Sequence, residues 1–89
     1  MCRNIKPLFN FDPPATDDEI RDAALQFVRK VSGFQKPSHV NEAVFEQSVG
    51  DISKVIRHLV DTLATSAEPK DREEEARKAH LRAIERFGA

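Results

Sequence analysis

The sequence predicts an all-α protein, an antiparallel three-helix bundle with a long central helix and an N-terminal strap, forming one domain over residues 1–89. Apolar residues recur at i, i+3, i+4 and i+7 in three separate stretches. Start and stop signals bracket those stretches, and short connections suit helices that pack against their sequence neighbours. With 39% hydrophobic and 33% charged residues, the chain can build a modest core without disulfides.

The strap, residues 1–15, carries Ile5, Leu8, Phe9 and Phe11, then "FDPP", whose prolines forbid a helix of any length. The first helix is expected at about 17–32. Thr16 is its N-cap and Glu19, three residues on, completes a capping box. Asp17 and Asp18 favour the positive end of the helix dipole. Ile20, Ala23, Ala24, Phe27, Val28 and Val31 make the apolar stripe. Gly33 suits a left-handed C′ position, with Phe34 expected to fold back onto Val28.

Ser38 opens the second helix, expected at about 39–65 on a stripe running from Val40 through Ile52 and Ile56 to Leu63. The stripe keeps its phase across Gly50, so one helix, bent or straight, is favoured over a break with Asp51 as a new cap. Asp71, followed by Glu74, opens the third helix at about 72–87, and Gly88 ends it. Ala76, Ala79, His80, Ala83, Ile84 and Phe87 line one face, His80 as a partly buried packing residue. At 1.5 Å per residue the central helix would reach roughly 40 Å and its neighbours about 24 Å. The surplus stripe then needs cover from the strap or from a second copy, so a homodimer through the long helix is one expectation.

Charge is spread evenly along the chain: residues 1–40 hold six Lys/Arg and five Asp/Glu, residues 41–70 three and five, residues 71–89 five and five. That balance makes nucleic acid an unfavoured partner. A helix-turn-helix reading of the first two helices also fails on the length of the second. No window approaches the ~18 apolar residues of a membrane helix, one cysteine forms no internal disulfide, and no leader pattern is read, so no membrane is expected and the cytoplasm is the expected location.

Chemistry has few places to reside. The lone thiol, Cys2, is either a small apolar residue under the strap or a redox, metal-responsive or modification site favoured by nearby Arg3 and Lys6. No base is identifiable that would make it a catalytic nucleophile. Arg29 and Lys30 close the first helix, Ser38 opens the second, and Lys36 and His39 lie beside them, an arrangement able to meet an anion or an acidic partner segment. Dipole-favoured cations and an ordinary helix start explain the same residues without function. His39, His58 and His80 have no metal-ligand spacing, and His58 with Asp61 reads as a surface pair. No catalytic residue, metal site or cofactor is expected.

Several stretches together, "MCRNIKPLFNFDPPATDDEI", "VRKVSG" followed by "KPS", and "NEAVFE", resemble the family of short bacterial proteins called domain of unknown function 2277. The likeness runs from Met1 to about Leu63. It implies a bacterial source and transfers no activity, and it implies that Cys2, Arg3 and Asn4, with Arg29, Lys30, Ser32 and Gly33, belong to the family's signature. The two signature stretches are expected to meet in one polar patch, with Cys2 and Arg3 near Arg29 and Lys30. A non-enzymatic module that binds a partner protein is the leading expectation. A redox- or metal-responsive factor using Cys2 is the alternative.

Overall fold

The computed structural model describes residues 5–87. In chain order these form β1 (Phe11–Asp12), α1 (Asp17–Ser32), a single 3-10 turn (His39–Asn41), α2 (Glu42–Thr62), β2 (Lys70–Asp71) and α3 (Arg72–Phe87). The protein is mostly helical, with one addition that the sequence did not announce. β1 and β2 pair in parallel, Phe11 with Lys70 and Asp12 with Asp71.

α1 forms as its sequence dictates. Thr16 is extended, its Oγ1 accepts from the Glu19 amide at 3.1 Å, and the Thr16 amide donates to Glu19 Oε1 at 2.9 Å, closing the capping box. At the other end Gly33 adopts φ 78° and its N–H reaches the Arg29 carbonyl. A left-handed backbone there excludes most side chains on steric grounds.

α2 is shorter than expected at both ends. Ser38 is extended and makes no side-chain cap; its Oγ accepts from Asn41 Nδ2 at 2.9 Å, and a 3-10 turn precedes the α-helix. At Leu63 the backbone leaves the helical region with ψ 139°. The helix thus ends at Thr62, without a glycine or a basic residue to mark its end. Across Gly50 it is unbroken, and Asp51 accepts from Gln47 Nε2 instead of capping a new helix. α3 begins with Asp71 Oδ1 accepting from the Glu74 amide at 2.9 Å, as its sequence requires.

The core lies between α1 and α2. Ala24, Val28, Phe45 and Val49 are buried together, with Leu25, Ile52 and Ile56 partly buried against them. Alanines on α1 let the helices approach, while Phe45 and Val49 fill the gap. Surface ion pairs run in opposite order along the two helices, Arg57 with Asp17 and Arg21 Nη2 with Glu46 Oε2 at 2.6 Å. Phe34 does not fold back onto Val28; it remains 47% exposed, and its amide donates to Ser32 Oγ. α3 packs closely on neither helix of the pair, and His80, expected in a packing position, is exposed. The reason is composition: the inner stripe of α3 offers Ala76, Ala79 and Ala83, which contribute little apolar area.

Candidate functional site

What holds α3 to the rest is a clamp built on Arg72. Its Nε donates to the Pro13 carbonyl at 2.6 Å and its Nη1 to Glu19 Oε2 at 2.7 Å. Its guanidinium carbon sits 5.3 Å from the centroid of the Phe11 ring, and Lys70 Nζ lies 5.7 Å from the same ring. Arg72 Nη2 is buried without an acceptor, while the guanidinium as a whole gains the cation–π contact with Phe11. Asn10, at φ 64°, completes the arrangement: its Nδ2 donates to the Glu68 carbonyl at 3.1 Å, and its own carbonyl accepts from the Lys70 amide at 2.8 Å. One carboxylate therefore serves two ends, capping α1 through Oε1 and receiving α3 through Oε2. The hydrogen bond from Arg72, reinforced by that from the Thr16 amide, lowers the Glu19 pKa to about 2.

The described part of the strap, residues 5–15, is then tied to the α2–α3 linker and the first turn of α3, and makes no hydrogen bond to α2. Between strap, α1 and α3 lies an open groove of about 570 Å³, with Leu8, Ala23, Ala76 and Ala79 along it and Lys6 and Arg82 at its edges. A second open groove of about 630 Å³ joins the start of α1 to the end of α2. There Arg57 bridges Asp17 and Asp61, which raises its own pKa, chiefly through Asp17. Asp61 is thereby engaged by Arg57; His58 lines the same groove.

The candidates Arg29, Lys30, Ser32, Gly33, Lys36, Ser38 and His39 gather at the α1–α2 turn, where Arg29, Ser32, Gly33 and Ser38 have local structural work. Arg29 Nε donates to the Gln35 carbonyl at 2.9 Å, folding the turn back on its helix. Ser32 and Ser38 accept the local hydrogen bonds already described, and Gly33 is the C-cap. Lys30 and Lys36 point to solvent, and His39 is 99% exposed with Glu42 at 3.7 Å. Cys2, Arg3 and Asn4 lie outside the described residues, and with them the expected meeting of the two signature stretches.

Sequence reasoning missed two features. The Arg72 clamp joins residues 53 and 59 positions apart, a pairing that no local pattern encodes. It also missed how charge sorts in space. Residues 27–44, the turn end of the helix pair, hold three Lys/Arg and one Asp/Glu. The opposite end, residues 15–26 and 55–68, holds two and six. An even spread along the chain becomes a basic end and an acidic end once the chain folds back.

These features define a small α-helical protein whose described residues present open grooves and apolar surface. The chain belongs to the family described as Uncharacterized conserved protein (DUF2277), which matches residues 1–78 of its 89. No curated protein and no solved structure matches the chain.

Proposed function

We propose that the protein is a non-enzymatic interaction module that binds a partner protein through apolar surface left outside its core. The observation that carries the reading is an imbalance between core and surface. The buried core comprises Ala15, Ile20, Ala23, Ala24, Val28, Phe45 and Val49, only one of them aromatic. Meanwhile Phe27, Val31, Phe34, Val40, Val44, Val55, Leu59, Leu63 and Leu81 are all about half exposed or more. Scattered single apolar residues need no explanation, whereas rows of them mark interaction surfaces. Two rows support the reading: Phe27, Val31 and Phe34 at the turn end of α1, rimmed by Lys30 and Lys36, and a row along α2. The antiparallel three-helix arrangement acts here as a frame, with the α1–α2 pair as its closed part.

Affinity capture from cells of the source organism, with tagged wild type beside a Phe27→Asp/Val31→Asp variant, tests the proposal. A defined protein recovered by wild type and lost with the variant is expected. Recovery of nothing beyond a tag-only control, or equal recovery by both, overturns it. Circular dichroism of the variant establishes that the helices persist.

A further inference from the structure

The exposed row along α2 has a symmetry that identifies its occupant. Val40, Val44 and Ser48 follow one another at four-residue spacing, and so do Val55, Leu59 and Leu63. About a point between Asp51 and Ile52, Val44 mirrors Leu59 and Ser48 mirrors Val55 within α2, while Val40 in the 3-10 turn and Leu63 at the C-cap flank the row at its two ends. The apolar members are exposed by 85, 63, 67, 52 and 48% in chain order. Ser48 is no interruption, because its hydroxyl is spent on the Val44 carbonyl at 2.8 Å. A row with this spacing matches its own reverse. That is the property an isologous two-fold contact requires.

We infer that a second copy of this chain covers the row, α2 packing antiparallel on its counterpart about a two-fold axis near Asp51. The inference rests on the interaction reading above and names the partner. Further observations support it. The surface of the chain is 7275 Å², against about 5,300 Å² for a folded monomer of its 10.1 kDa mass. Part of that excess of about 2,000 Å² comes from α3, which packs closely on neither helix, so it bounds from above the area left to meet the ~800 Å² per partner that a standard stable interface takes.

Charge is complementary in the same sense. Antiparallel α2 helices set the basic turn end of each copy, with Lys30, Lys36 and His39, beside the acidic end of the other, with Asp17, Asp18 and Asp61. A parallel contact would put like ends together. At the axis, Asp51 comes within one helical turn of Lys54 of the partner subunit, which offsets the approach of two carboxylates. The strap, the other candidate for covering α2, is committed elsewhere by Asn10, Phe11 and Pro13.

Sedimentation equilibrium of the purified full chain, together with a register-specific cross-link, tests the inference. Wild type should have twice the 10.1 kDa chain mass. Both Val55→Asp/Leu59→Asp and, separately, Val44→Asp should return it to a monomer with its helical circular dichroism intact. In a Cys2→Ser background, Ser48→Cys/Val55→Cys should oxidise to a covalent dimer whose peptides join position 48 to position 55 of the other chain. Within one chain those positions are seven residues, roughly 10 Å, apart along the helix, too far to bridge. A wild-type monomer at millimolar concentration overturns the inference, and so do cross-links joining like positions only. Neither outcome touches the capture of a different protein by the Phe27–Val31 surface, so the failure of one reading is distinguishable from the failure of the other.

Discussion

Arg72 and Glu19 join the strap, the start of α1 and the start of α3 through one set of hydrogen bonds. Replacing Arg72 by Ala removes charge-assisted hydrogen bonds to Pro13 and Glu19, each of a kind worth about 1.5–3 kcal/mol when well sheltered. Glu19 is 36% exposed, so solvent screening discounts the carboxylate bond. A loss of about 1–2 kcal/mol in urea unfolding is the expected outcome, and Arg72→Lys should recover little of it because an ammonium lacks the fork that reaches two acceptors. Acid acts on the same pair. Unfolded Glu19 takes up its proton near 4.5 and folded Glu19 near 2, so between those values unfolding binds a proton. Stability from this group is therefore complete above about pH 4.5 and is lost as the pH falls toward 2. Glu19→Gln should flatten that limb in urea titrations at graded pH. At this scale the caps were legible, since Thr16, Glu19, Gly33 and Asp71 act on neighbours three or four residues away. Arg72 was not legible, because nothing near it in the chain names Pro13 or Phe11.

Each helix follows from local pattern, and its partner follows only in part. The Ala24–Val28 and Phe45–Val49 spacings point two apolar faces inward, and the short turn makes them meet. Phe45→Ala should cost about 3–5 kcal/mol, a large share of a small domain's stability, and chemical denaturation measures it. Gly50 is the opposite case. A Cβ built there meets nothing within 4 Å, so Gly50→Ala should stabilise the protein by about 1 kcal/mol through helix propensity alone. A thermal midpoint no higher than that of wild type would contradict that view of the helix. The start of α2 was misjudged because Ser38 Oγ accepts from the Asn41 side chain, a choice between two local hydrogen bonds that spacing cannot decide. The loose attachment of α3 was equally hidden: alanines at helical spacing announce an inner face without announcing how little area it buries.

Over the whole molecule, the exposed apolar rows and the separated charges matter more than any pocket. If a second copy covers α2, the melting temperature should rise with protein concentration, as mass action requires of a dimer; a midpoint independent of concentration across a wide dilution series is the contrary result. Val40, Val44, Val55 and Leu59 were visible from the start as a long stripe, but only the finished helix pair reveals which part of the stripe stays uncovered. The short ladder between Phe11–Asp12 and Lys70–Asp71 has a consequence of another kind. A protein is made from its first residue onward, so Asn10, Phe11 and Pro13 leave the ribosome well before their partners at residues 67–72. While α1 and α2 can close during synthesis, Phe11–Asp12 has no strand partner until Lys70–Asp71 emerges.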